Sequence, residues 1–154
     1  MKILFVCTGN TCRSPMAEGI MKDLINKEKL KINIEDIKSV GLVAEEGMFV
    51  SQNAVKVLKK RGIDISKHTA SVVKEVDLKE ADLVLTMTQN HEDMILQALP
   101  QYSHKVFTLS EYVENKIEDI SDPYGGSLRK YEDASNMILK KLKKLVEKLK
   151  KKGY

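Results

Sequence analysis

The stretch KILFVCTGNTCRSPMAE, Lys2 to Glu18, opens on a short apolar run, Lys2 to Val6. A run of that length reads as a buried strand. Polar and small residues follow, and Pro15 stands just after Ser14, where a helix can begin and continue through MAEGIMKDLINKEK. Strand, tight loop and helix in direct succession begin a parallel α/β unit.

The rest of the chain repeats that alternation. Ile34 to Val40 (IEDIKSV) alternates as a second strand ended by Gly41, and Ser51 to Arg61 has a serine cap, helical periodicity and a glycine stop at Gly62. Asp82 to Thr86 (DLVLT) is a third strand, followed by a helix through NHEDMILQAL that ends at Pro100. Lys105 to Thr108 (KVFT) is a short fourth strand. From Ser127 a long amphipathic helix carries Tyr131, Ala134, Ile138, Leu142, Leu145 and Leu149 on one stripe. The expectation is an α/β fold of three layers, α/β/α, with a four-stranded parallel sheet covered on both faces. Without repeats, low-complexity segments or a linker, residues 1–154 read as one domain. Ligands of such sheets bind beyond the C-terminal ends of the strands, which is where Cys7 falls.

Bulk composition excludes several classes. Hydrophobic content of 42% and charged content of 31% are those of an ordinary globular protein, and 154 residues bury roughly two-thirds of the unfolded surface. Two cysteines make no disulfide framework, the N-terminal apolar run is too short for a signal peptide, and no stretch approaches a membrane span. A cytoplasmic protein with reduced thiols is expected. The net charge of +4 belongs to the tail, because Lys140 to Tyr154 hold eight lysines and one glutamate and the remainder is at −3. These lysines read as the solvated face of a helix whose C-terminal dipole they suit, rather than as a nucleic-acid or membrane contact.

The loop between strand and helix has its own chemistry. Successive backbone N–H groups there can turn inward as an anion nest, and the helix dipole adds positive charge at the same place. Gly9 removes bulk and permits unusual φ/ψ, and Asn10 tolerates a left-handed conformation. Arg13 supplies a planar fork for two oxygens of a tetrahedral oxyanion. Such a site binds phosphate and favours a thiolate at Cys7, a nucleophile in line with phosphorus. Zinc is a weaker reading, since His68, His91 and His104 lack ligand spacing, and no Gly-Lys-Ser/Thr or G-x-G-x-x-G motif is present. A leaving group needs an acid, and Asp122 in SDPYGGS stands in a rigid exposed loop before the last helix.

The segments CTGNTCRS and DPYGG, with ADLVLTMT and VFTLSEYV between them, resemble the low-molecular-weight protein tyrosine phosphatases over nearly the whole chain. The resemblance implies hydrolysis of phosphorylated protein substrates without metal or cofactor, through a cysteinyl-phosphate. Cys7 matches the nucleophile, Arg13 the transition-state clamp and Asp122 the general acid, then the base on water. Thr8, Gly9, Asn10, Thr11, Cys12 and Ser14 match the phosphate-binding loop, and Tyr124 the aromatic at the entrance. Asn10, Ser14, Ser39 and His68 match the network that holds that loop. Ser39-Val40-Gly41 departs from the usual Ser-Ala-Gly, a change expected to adjust local packing only. Cys12 matches a cysteine able to form a reversible disulfide with the nucleophile.

Thr11 bears on substrate. Tyrosine-specific members usually carry a bulkier aliphatic residue there, and the threonine resembles the bacterial protein-arginine phosphatase branch. A smaller polar side chain leaves room and a hydrogen-bonding group for a planar guanidinium, whereas an apolar wall suits an aromatic ring. Phosphoarginine is therefore expected ahead of phosphotyrosine. Arsenate reductase requires further redox cysteines after Cys12, which the chain lacks, and Asp122 and Arg13 argue against a phosphocarrier. A monomer is the default expectation, with neither nucleic acid nor membrane as partner.

Overall fold

The computed structural model describes all of Met1–Tyr154. Four strands, β1 (Ile3–Cys7), β2 (Ile37–Gly41), β3 (Leu83–Thr86) and β4 (Val106–Thr108), form one parallel sheet in the order β2-β1-β3-β4. Ile3 lies opposite Ile37 on one side and Leu83 on the other, and Cys7 lies opposite Gly41. The chain winds outward from β1 in both directions, so the strand order reverses there and opens a crevice at the C-terminal ends.

All five residues of β1 are buried, and their side chains alternate between two cores. Ile3, Phe5 and Cys7 enter the larger one, which joins the sheet to α1 (Arg13–Glu28), α2 (Gln52–Lys59) and α6 (Leu128–Lys151). Leu4 and Val6 enter the smaller one with Leu78 of α3 (Glu75–Glu80) and Ile95 of α4 (Gln89–Ala98). This is the expected three-layer fold. The stripe on α6 is buried along its length, including Tyr131, Ile138, Leu142, Leu145 and Leu149. No helix is long and apolar enough to cross a membrane.

Several local expectations are corrected. The first helix begins at Arg13, which places Pro15 third, where its missing N–H has no intrahelical partner to lose. Residues Ile34–Asp36 form a single 3₁₀ turn, because the Asn33 side chain accepts from the Glu35 N–H at 3.0 Å, and β2 starts only at Ile37. Ser51 precedes α2 but does not cap it; its hydroxyl donates to Tyr131 Oη at 2.9 Å. Two short helices, α3 and α5 (Leu109–Glu114), carry too little periodicity to stand out in the sequence. In α3, Asp77 Oδ2 accepts from the Lys74 N–H at 2.8 Å; in α5, Thr108 Oγ accepts from the Glu111 N–H at 3.0 Å.

The tail lysines are also more engaged than a solvated face. Lys141 is only 2% exposed, with Nζ 2.8 Å from Glu118 and 3.2 Å from Glu114. Lys144 reaches Glu114 at 2.9 Å, and together these lysines hold the Glu114 carboxyl at about 2. Lys148 donates to the Tyr112 carbonyl at 2.7 Å and sits 4.1 Å above its ring. The basic end of α6 is thus a clamp on α5 and on the segment that leads to Asp122.

Candidate active site

Cys7 ends β1, and the chain from Thr8 to Cys12 loops tightly into the start of α1. None of the five backbone N–H groups from Thr8 to Cys12 has an acceptor within the chain. Arg13 and Ser14 add the first N–H groups of α1, which by helix geometry lack an i−4 carbonyl. The loop therefore gathers unsatisfied donors around the C-terminal end of β1, a ready receptor for an oxyanion.

One residue sets the loop's shape. Asn10 takes φ of +55° and is completely buried, with every polar atom of its amide used. Its Nδ2 donates to Ser14 Oγ at 2.8 Å and to Ser39 Oγ at 3.0 Å. Its Oδ1 accepts from the Ser71 N–H at 3.0 Å and from His68 Nε2 at 3.2 Å, and His68 Nε2 also reaches the Asn10 carbonyl at 3.1 Å. Both of those partners are acceptors, so the proton of His68 is on Nε2. The left-handed residue is Asn10 and not Gly9, whose φ is not positive and where a Cβ would meet nothing closer than Thr11 Oγ at 3.8 Å. The glycine that sterics demand is Gly41, where a Cβ would stand 2.6 Å from the Thr8 carbonyl and 2.9 Å from the Asn10 nitrogen.

The network fixes proton directions all the way to sulfur. Ser39 Oγ donates to Glu18 Oε1 at 2.9 Å, which leaves its lone pairs for Asn10. Ser14 Oγ likewise accepts from Asn10, so its own proton is free. Cys7 Sγ lies 2.9 Å away, against 3.5 Å for the Val40 carbonyl. Ser14 thus has a proton to offer Cys7 whenever the sulfur is deprotonated, with the Val40 carbonyl as its other acceptor. Cys12 is placed differently. Its thiol packs 3.4 Å from Tyr131 Oη, and burial pushes it above the ordinary thiol range. Tyr131 is itself pushed up to about 12, chiefly by burial. Both cysteines are free, and both line the cleft beside the loop.

Arg13 is buried and doubly held. Nη1 donates to the Ile120 carbonyl at 3.0 Å, and Nη2 lies 3.5 Å from Asp122 Oδ2. Asp122 is half exposed, and its Oδ1 accepts from the Tyr124 N–H at 3.1 Å, so it serves the turn as well as the cleft. Cys7, Thr11, Arg13, Asp122 and Tyr124 line one cleft of about 280 Å³. Thr11 is at its wall, largely buried, and Tyr124 stands at the mouth, 68% exposed. The structure therefore brings every residue singled out in the sequence to one place, with Ser39 and His68 behind the loop. No three His, Cys, Asp or Glu side chains converge to hold a metal.

The sequence offers His91 only as a weak zinc ligand and gives it no place beside the loop. It is 3% exposed, with Nε2 2.8 Å from Thr8 Oγ, and its Nδ1 has no partner. Burial, then the Arg13 charge, depresses it to about 4, so it braces the loop as a neutral ring. Its only signal was its position in α4, next to the end of β3. Glu18, which anchors the serine–asparagine chain, carried no signal beyond lying four residues after Ser14.

Comparison with known proteins agrees with this geometry. The family model for low molecular weight phosphotyrosine protein phosphatase matches residues 2–154. A protein-arginine-phosphatase of Bacillus subtilis is 40% identical over 98% of both chains. The low molecular weight protein-tyrosine-phosphatase PtpB of Staphylococcus epidermidis is 41% identical over 90% of this chain and 91% of its own. Among solved structures, the YwlE arginine phosphatase with a phosphorylated active-site serine in place of its cysteine superposes with a TM-score of 0.93 at 39% identity, covering 98% of this chain and 97% of that one. The chain belongs to the low molecular weight phosphotyrosine protein phosphatase family.

Proposed function

We propose that this phosphatase acts on phosphoarginine in proteins, with Cys7 as nucleophile, Arg13 as clamp and Asp122 as acid and base. The observation that carries the mechanism is the hydrogen-bond network centred on Asn10, whose Nδ2 donates to Ser39 and to Ser14 and leaves the Ser14 hydroxyl 2.9 Å from the Cys7 sulfur. Cys7 Sγ forms a bond to phosphorus, the bond from phosphorus to the guanidino nitrogen breaks, and Asp122 gives that nitrogen its proton. Water then attacks the cysteinyl-phosphate while Asp122 takes the proton, and the thiolate is released. The backbone donors of Thr8, Gly9, Asn10, Thr11 and Cys12, with Arg13, hold the equatorial oxygens through both steps.

Two features support arginine as the phosphorylated residue. Thr11 gives the cleft wall a small polar group, and the Bacillus relative bears that activity in its name. Phosphotyrosine is the alternative, favoured by the name of the Staphylococcus relative at the same level of identity. We place the enzyme in the cytoplasm, where two free thiols stay reduced, acting as a monomer on phosphorylated proteins.

Quenching the enzyme in alkaline denaturant during turnover of a phosphoarginine peptide tests the mechanism. The phosphoryl group should be found on Cys7, release of phosphate should exceed the enzyme many-fold, and Cys7→Ser should fold but not turn over. Phosphate release that survives in Cys7→Ser would overturn it.

A further inference from the structure

One acidic side chain in the cleft has no role in the chemistry above. Glu45 lines the same cleft as Cys7, Arg13 and Asp122, is exposed, and its carboxylate has no hydrogen-bond or ion-pair partner in the protein, although its carbonyl accepts from the Met48 N–H at 3.1 Å. Its neighbour Glu46 is engaged elsewhere, accepting from the Val72 N–H at 2.7 Å, and does not line the cleft. The segment that carries Glu45 is tied down at both ends to the phosphate loop. The Leu42 and Val43 N–H groups donate to the Cys7 and Thr8 carbonyls, each at 3.0 Å, and the Ser51 N–H donates to Thr11 at 2.9 Å. Its tip is tied to the neighbouring segment, with the Gly47 N–H donating to Ala70 at 2.9 Å and Ala70 to Met48 at 2.8 Å. The backbone therefore holds Glu45 at a fixed place on the lip.

The charges that line the cleft then separate by depth. Arg13 is the one cation, buried and already paired with Asp122, and no lysine lines the cleft. The lip carries carboxylates from two different loops, Asp122 and Glu45. For an aryl phosphate Asp122 still serves as the acid, but Glu45 meets only a neutral ring and a phosphoryl dianion and contributes repulsion. An N-phosphorylated guanidinium keeps a positive charge directly beside phosphorus, in the cleft that both carboxylates line.

We infer that Glu45 is a second specificity-determining residue, whose carboxylate together with Asp122 selects a cationic phosphoguanidinium over a neutral aryl phosphate. The inference rests on the phosphoarginine reading and adds to Thr11 a charge criterion that is independent of pocket size. Because the side chain is exposed, its effect is modest and screened by salt.

The test is steady-state kinetics of wild type, Glu45→Gln, Glu45→Lys and Glu46→Gln on matched phosphoarginine and phosphotyrosine peptides, at low and high salt. Glu45→Gln should lower kcat/KM for phosphoarginine about two- to five-fold, mainly through KM, the range of an exposed charge pair. The phosphotyrosine value should hold or rise, Glu45→Lys should extend the trend, and high salt should narrow the difference. Glu46→Gln makes the same change in net charge and should leave the ratio of the two substrates unmoved. If wild type prefers phosphoarginine but Glu45→Gln changes both substrates equally or neither, the inference fails while the substrate reading stands. If wild type prefers phosphotyrosine, both fall together.

Discussion

Asn10 Nδ2 lies 2.8 Å from Ser14 Oγ, and this bond decides what Ser14 does for Cys7. An amide that donates to the serine oxygen leaves the serine proton free, with the Cys7 sulfur 2.9 Å away and the Val40 carbonyl at 3.5 Å. The buried asparagine thereby acts on the proposed nucleophile without touching it.

Ser14→Ala should consequently cost about 10- to 100-fold in kcat/KM, the equivalent of a hydrogen bond to a charged group of roughly 1.5–3 kcal/mol. The rate of inactivation by iodoacetate at neutral pH should fall in the same variant, because the attacking sulfur has lost its hydrogen-bond partner. An unchanged alkylation rate would show that Ser14 only fills space.

Asp122 is half exposed and 3.5 Å from Arg13, placed to serve a leaving group that enters from the mouth of the cleft. Asp122→Ala should lower kcat by about 10²–10⁴ on a substrate with a poor leaving group. Asp122→Asn should do the same, although it keeps an acceptor for the Tyr124 N–H. Full activity in the asparagine variant would remove proton transfer from its role.

His91 gives the fold an acid-sensitive point beside the loop. Its ring titrates near 4 when folded and near 6.5 when exposed, so between those values the unfolded chain binds more protons. Stability from this group is complete above about pH 6.5 and is lost as pH falls toward 4, by up to roughly 3 kcal/mol. Urea unfolding of wild type and His91→Asn across this window should show a shallower loss in the variant. Parallel curves would mean that the buried ring carries no such penalty.

The residues proposed to carry the chemistry are legible because they are local. A strand, a loop and a helix start within thirteen residues place Cys7, Arg13 and the donors between them, and Asp122 announces itself through its turn. The four strands were legible through apolar runs, although β2 was set three residues early because Asn33 binds the Glu35 N–H. What escaped depends on contacts across the chain. His91 and Thr8 are 83 residues apart in sequence, and Lys141 is buried only because Glu114 and Glu118 meet it from the segment before Asp122. Ser51 looked like a cap until Tyr131 supplied a better partner for its hydroxyl.

Thr11 remains the side chain on which the substrate assignment turns, and one comparison tests it most directly. The measurement is kcat/KM on matched phosphoarginine and phosphotyrosine peptides for wild type and Thr11→Ile. Wild type should favour phosphoarginine, and isoleucine should shift the ratio toward phosphotyrosine by about tenfold or more, as expected when a polar contact is replaced by apolar bulk. A wild-type preference for phosphotyrosine, with a ratio that isoleucine leaves unchanged, would contradict the account.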